Sequence, residues 1–357
     1  MKIAVFLPNW IGDVVMATPA IAALWQTHQN AQLIAVGRKY VYGVIEGSPW
    51  FDHWLGAHGR TWTESVAATA YQLRKAKVDT ALLFPNSFRS AFTAYLGGCK
   101  QIIGYARDRR TWMLTDRLNP KVDEQGRFAP SPVIDAYNEL VTRLGVATPG
   151  HQMQLFTTSK DETQADQLWE KFGLNKSQQV VVFNPGAAYG SAKLWPVQHF
   201  ARLAQKLTDQ HQVHILVLCG PTERELARTI VQQANRHRIC SLADAELSIG
   251  LLKACVKRCD FMVTTDSGPR HFAAAFNKPV VTLFGPTHIA WTETYHPLAV
   301  HLQKKVHCGP CQLRVCPLQH ECMTELGSDE VYAAVASSLA RLQLAKAELS
   351  PDQRKRA

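Results

Sequence analysis

Short, unbroken apolar runs alternate with amphipathic stretches along almost the whole chain. KIAVFLP, QLIAVG, DTALLFP and KQIIGYA punctuate the first half, and QVVVFNP, VHILVLCG, FMVTTD and PVVTLFG the second. Continuous apolar strands, rather than alternating ones, are what a sheet needs when both of its faces are covered. Helix-period segments such as VVMATPAIAALWQTH, VQHFARLAQKL, ERELARTIVQQA and PRHFAAAF supply the covers. The pattern predicts an α/β protein with parallel, doubly wound sheets, and it has no period of the solenoid kind.

The alternation pauses once, near residues 145–175. GVATPGHQM reads as a loop there, and TTSKDETQADQLWEKFGL opens a fresh helix with a capping signal. The expected organisation is a first Rossmann-like domain over 1–160 and a second over 161–330, the latter with a Cys-rich segment at 307–323. A closing helix over 328–346 and a flexible tail over 347–357 follow. A chain of 357 residues that is 46% apolar and 19% charged has material for two such cores.

No apolar run approaches the roughly 18 residues that span a bilayer. The opening MKIAVFLPNWIGDVV is interrupted by Pro8, Asn9 and Asp13, so it reads as a first strand and not a signal peptide. A cytoplasmic protein without a transmembrane segment is expected. The 39 Lys and Arg against 29 Asp and Glu give a formal charge of +10, a field that attracts phosphates or an anionic membrane face. The basic residues are spread out apart from Arg107, Arg109 and Arg110 and a short tail, Arg354 to Arg356. No nucleic-acid-binding signature accompanies them, and no nucleic-acid partner is expected.

Three loops carry candidate chemistry. Asn184, Pro185 and Gly186 end a strand, and Lys193 follows just before a helix. Gly186 lets backbone approach an anion and Lys193 offers a point charge, although a solvated lysine on a plain turn fits equally. Asp266, Ser267, Gly268 and His271 form a second strand-to-helix turn. Its free N–H groups suit a diphosphate, and Asp266 suits sugar hydroxyls or a helix cap. Glu223, after VHILVLCG, stands where an acid holds ribose hydroxyls in related sheets. Asp13, after Gly12, is either an N-cap or a general base at a cleft mouth. No Asp-x-Asp pair occurs, which argues that cationic side chains, and not a divalent ion, meet the leaving-group charge.

Together PNWIGDVVMATPAIAAL, LLFPNSFRSAF, NPGAAYGSAKLWP and TTDSGPRHFAAAFNKPVVTLFGPT resemble the lipopolysaccharide heptosyltransferases of glycosyltransferase family 9. The resemblance runs over nearly the whole chain and is nearest to the type II enzymes, through LLFPNSFRSAF. It implies a GT-B fold of two facing Rossmann-like domains, acceptor-binding then donor-binding. It also implies inverting, metal-independent transfer of L-glycero-D-manno-heptose from ADP-heptose to a phosphorylated, heptosylated Kdo–lipid A core at the inner membrane surface. Asp13 falls on the family's catalytic aspartate, Lys193 on its donor lysine, Asp266 on its sugar-contacting aspartate, and Ser267 and Gly268 on its diphosphate turn. Leu247 lies at an apolar adenine contact. Asn86, Ser87 and Arg89, in the loop that follows Pro85, are candidate acceptor contacts, as are Arg107, Arg109 and Arg110, for which a solvated face is the alternative. Arg270 departs from the family, which is apolar or small there.

A second departure is Cys308, Cys311, Cys316 and Cys322, spaced C-x2-C-x4-C-x5-C. Four thiols so close together in a cytoplasmic protein favour a structural zinc, with an iron–sulfur cluster second. The other five cysteines read as buried apolar residues. Three rival functions are weighed. A dinucleotide oxidoreductase needs G-x-G-x-x-G where NWIGDVV stands. A family member with another sugar or nucleotide keeps the fold, and a non-catalytic glycolipid- or nucleotide-binding protein keeps the binding alone.

Overall fold

The computed structural model describes residues 1–56 and 61–348. The tail expected to fray lies outside them from residue 349 on, and with it the basic Arg354 to Arg356.

Two compact units emerge, each with its own six-stranded parallel sheet. The first comprises Met1–Ser159 together with Ala290–His296, and the second Lys160–Ile289 with the chain from Pro297. The sheet of the first unit contains β1 (Lys2–Phe6), β2 (Gln32–Gly37), β3 (His53–Gly56), β4 (Thr80–Leu83), β5 (Gln101–Tyr105) and β6 (Asp116–Leu118). Their order is β3-β2-β1-β4-β5-β6. The second sheet contains β7 (Val180–Asn184), β8 (His214–Val217), β9 (Ile239–Ser241), β10 (Phe261–Thr265), β11 (Val280–Phe284) and β12 (Ala299–Gln303). It is ordered β12-β11-β10-β7-β8-β9, the same winding repeated.

Burial follows from position in the sheet. β7, β10 and β11 are buried at every residue because helices cover both faces. Each such Val, Leu or Phe contributes roughly 1.5–3 kcal/mol, so a charge at Val181 would break the sheet. The edge strands β3, β6, β9 and β12 are short or only half-buried, and their sequences, HWLG, DRL, ICS and AVHLQ, carry no continuous apolar run. The apolar pattern therefore marks the eight inner strands and leaves these four unmarked.

Helix ends obey local chemistry. Thr61 and Glu64 form a reciprocal capping box for helix Trp62–Ala76, whose chain leaves through Lys77 in the left-handed conformation. Ser87 caps helix Phe88–Leu96, and Ser248 caps Ile249–Arg258. The closing helix spans Ser328–Glu348. In each sheet the winding reverses between the first and fourth strands, β1 and β4 or β7 and β10, which opens a crevice at their carboxyl ends. The candidate residues follow those strands.

Candidate active site

In the first unit, helix Ile11–Met16 follows β1, and residues 85–87 follow β4. Between them lies a cavity of about 390 Å³, within the roughly 300–1,000 Å³ typical of ligand sites. Asp13, Asn86, Ser87 and Arg107 all line it, beside Trp10, Phe84, Tyr137, Lys121 and Trp291. Asp13 is not a cap: Trp10 occupies the N-cap position of its helix, with no side-chain capping bond. Burial first, and the nearby Asp13 charge second, push the Tyr137 hydroxyl well above its ordinary range. Asp13 and Tyr137 thus share one cavity, and Phe84 packs edge-on against the Tyr137 ring at 5.0 Å.

The arginines divide. Arg107 sits with its guanidinium 3.6 Å from the centre of the Phe128 ring, and its buried Nε lacks a hydrogen-bond partner among the described residues. Arg110, expected at the acceptor, is fully buried and does not line the cavity. It donates to Pro85 O (2.5 Å), Ser87 O (3.3 Å), Asn86 Oδ1 (3.1 Å), Ser90 Oγ (3.1 Å) and Tyr105 O (3.1 Å). Burial brings this guanidinium down to about 10, with the Asp108 charge opposing the fall. It is the brace of the 85–87 loop, not a contact offered to a ligand. Arg89 likewise turns away, donating to Ser65 Oγ on the neighbouring helix, and Arg109 is exposed.

In the second unit the loop after β7 carries Lys193 and the loop after β10 carries Asp266. Lys193 Nζ lies 2.5 Å from Asp266 Oδ2 and 3.0 Å from Asp266 O, and both side chains are buried. Thr287 Oγ1 donates to the same Oδ2 at 2.6 Å, and Arg270 Nε stands 3.6 Å from Oδ1. Burial alone would raise the Asp266 carboxyl. The charges of Lys193 and then Arg270, with the Lys193 and Thr287 hydrogen bonds, outweigh it and hold the group at about 2. Arg270 Nε also donates to His271 Nε2 at 3.2 Å. Burial, and then the Arg270 charge, keep His271 neutral, and its buried Nδ1 has no hydrogen-bond partner among the described residues.

The remaining donor candidates border this cluster. Thr265 Oγ1 donates to Gly186 O at 2.7 Å, and a Cβ at Gly186 would collide with the Glu223 carboxyl, which accepts from Gly220 N at 2.8 Å. A side chain at Gly186 would therefore have to push the Glu223 carboxyl aside. Ser267 Oγ accepts from Asn184 Nδ2 at 2.8 Å, and Gly268 O accepts from His271 N at 3.1 Å. Leu247 is half-buried, one residue before the capping Ser248.

The Cys-rich segment has a role that its spacing hides. Gln312 O accepts from Tyr189 Oη at 2.6 Å, Arg314 O from Ala192 N at 3.0 Å, and His320 Nε2 lies 2.7 Å from Ala192 O. A Cβ at Gly190 would strike the Arg314 carbonyl. The segment therefore braces the loop that carries Lys193, and the Tyr189 ring lies 4.7 Å beneath that ammonium. Burial raises the Cys322 thiol to about 11, with Cys316, Cys308 and Cys311 adding to the rise. Among the described residues no three His, Cys, Asp or Glu side chains form a set able to hold a metal ion. The four thiols are neighbours.

Thr287, Tyr137 and Trp291 were not legible as site residues, since no motif surrounds them. Arg270 stood out only as a departure.

Two doubly wound Rossmann-type units, each with its polar groups at the switch crevice, define the GT-B class of glycosyltransferase. The chain belongs to glycosyltransferase family 9 (heptosyltransferase), whose family model matches residues 66–321. It is 27% identical over 340 residues to lipooligosaccharide heptosyltransferase 2 of Campylobacter jejuni, covering 93% of this chain and 97% of that one. Its fold is similar to the solved Escherichia coli ADP-heptose lps heptosyltransferase II, with a TM-score of 0.77 and 22% identity, covering 96% of this chain and 100% of that one. It is also similar to E. coli heptosyltransferase WaaC with ADP-2-deoxy-2-fluoro heptose, with a TM-score of 0.67 and 17% identity over 94% of this chain and 99% of that one. Among the described residues no helix is long and apolar enough to cross a membrane.

Proposed function

We propose that this glycosyltransferase moves L-glycero-D-manno-heptose from ADP-heptose to the heptosyl-Kdo2-lipid A inner core in lipopolysaccharide biosynthesis, with inversion and without a catalytic metal. It would work in the cytoplasm, peripherally on the inner face of the inner membrane. The observation that carries the reading is Asp13 in the wall of a ligand-sized cavity, in the first turn of the helix that follows β1. The names of the relatives, heptosyltransferases 2 and an enzyme solved with an ADP-heptose analogue, support the sugar and the nucleotide.

In this mechanism an acceptor hydroxyl attacks the anomeric carbon of the heptose from the face opposite ADP. The new C–O bond forms as the bond to the β-phosphate oxygen breaks, and the electron pair leaves with ADP. Asp13 takes the hydroxyl proton. An oxocarbenium-like transition state lets that proton leave late, so a weakly basic carboxylate suffices. Lys193 and the N–H groups at Ser267 and Gly268 meet the charge on the departing diphosphate. Lys193 makes two bonds to Asp266, which leaves one of its three N–H donors for the phosphate. Asp266 and neutral His271 address the sugar, Glu223 and Gly186 the ribose side, and Leu247 the adenine. Asn86, Ser87 and Arg107 address the anionic acceptor. No step is assigned to the cysteine segment.

A mass-spectrometric transfer assay with ADP-heptose and purified core acceptors differing by one sugar tests the proposal. A mass gain of one heptose on the mono-heptosylated core is expected. Transfer only from another nucleotide sugar, or donor binding without turnover, would overturn it.

A further inference from the structure

Five aromatic rings gather on the surface of the first unit, in one contacting group of three and one contacting pair. Phe88, Phe92 and Tyr95 stand at i, i+4 and i+7 on helix Phe88–Leu96, so they share one face. Trp62, at the start of helix Trp62–Ala76, stacks on Phe92 with centroids 6.1 Å apart and planes 11° from parallel. Phe88 stacks on Phe92 at 5.6 Å, and Tyr95 meets Trp112 edge-on at 5.5 Å. Phe92 is partly buried against the core, whereas Trp62, Phe88, Tyr95 and Trp112 are 45%, 36%, 50% and 63% exposed. A single exposed aromatic needs no explanation, but two such groups on one helix face do.

Two further observations say what covers them. Every exposed large aromatic among the described residues belongs to the first unit, while the exposed large hydrophobics of the second are Leu298, Leu313, Val315 and Leu318. The charge around the rings is mixed with a basic excess, exposed Glu64 and Asp108 being set against exposed Arg74, Lys75 and Arg109. Helix Phe88–Leu96 carries Arg89 and no acid, exposed Arg74 donates to Leu96 O at its end, and exposed Arg109 lies three positions before Trp112. Tyr and Trp with apolar bodies and polar tips, beside arginines, match the headgroup layer of a bilayer containing anionic lipid.

We infer that this aromatic face docks the first unit on an anionic phospholipid surface, lying on it and not crossing it. The inference deepens the proposed function, because an acceptor anchored by lipid A would be met at that surface.

The test is flotation of the full chain with vesicles of phosphatidylethanolamine and phosphatidylglycerol, and with vesicles of phosphatidylcholine alone. The wild type should float with the anionic vesicles, less so at high salt. The triple variant Trp62→Ser, Tyr95→Ser, Trp112→Ser, which leaves the core-packed Phe92 in place, should lose about tenfold or more in partitioning. It should keep the wild-type melting temperature and the wild-type turnover of a deacylated, water-soluble acceptor. A wild type that stays in the soluble fraction with both vesicles overturns the inference, as does a triple variant that floats like the wild type. So does a triple variant that turns a dimer into a monomer in light scattering without changing flotation, since the face would then cover a second copy of the chain. Flotation needs no turnover, so a wild type that floats but transfers no heptose counts against the proposed function alone.

Discussion

The Tyr295 hydroxyl donates to Asp135 Oδ2 at 2.8 Å, while His151 Nε2 lies 2.8 Å from the other oxygen of the same carboxylate. The His151 and Tyr295 rings sit 4.2 Å apart. This three-residue clasp holds Ala290–His296, a piece of the second half of the sequence, on the first unit. The held segment places Trp291 in the cavity wall, and Asp135 lines the same cavity.

Tyr295→Phe removes one hydrogen bond worth about 1 kcal/mol and loosens the Trp291 wall. The acceptor KM should rise about fivefold while the donor KM stays put, as initial-rate kinetics with each substrate varied would register. An unchanged acceptor KM would show that the clasp has no bearing on acceptor binding.

Asp13→Ala and Asp13→Asn should both lower kcat by about two orders of magnitude, the scale of a lost general base. Donor affinity by calorimetry should survive in both variants, since the donor candidates Lys193 and Asp266 lie in the other unit. Wild-type turnover in either variant removes Asp13 from the mechanism.

Asp266 sets a pH dependence whose sign can be worked out. Its folded carboxyl is held at about 2, below the ordinary 3.8, so its stabilising contribution is complete above about pH 4. That contribution, on the order of 2 kcal/mol, is lost as pH falls towards 2. Acid titration by circular dichroism should show this loss in the wild type and its absence in Asp266→Asn. The variant should also be less stable at neutral pH by roughly 3–5 kcal/mol, because Lys193 is left as a buried, unpaired cation. Equal acid sensitivity of the two proteins would contradict the assignment.

Arg107 and Arg110 lie three positions apart and should fail differently. Arg110→Ala strips the 85–87 loop of its donors and should cost several kcal/mol, with Arg110→Lys a poor substitute because an ammonium lacks the planar fork. Arg107→Ala should leave thermal stability nearly intact and raise the KM for the anionic acceptor about tenfold. A melting temperature that falls in Arg107→Ala and not in Arg110→Ala would reverse the two roles.

The sequence by itself determined the α/β class, the eight inner strands and the strand-to-helix junctions that bear Asp13, Lys193 and Asp266. Those features follow from local rules: fully covered strands must be continuously apolar, and strand-to-helix turns require small or capping residues. Only the tertiary structure decided which basic residues face a cavity, since Arg107 and Arg110 are chemically alike and differ in what packs around them. It alone brought Ala290–His296 onto the first unit, set the Cys-rich segment against the Lys193 loop, and joined Thr287 and Arg270 to Asp266. Those relationships depend on contacts between residues distant in the chain, for which neither periodicity nor spacing leaves a trace.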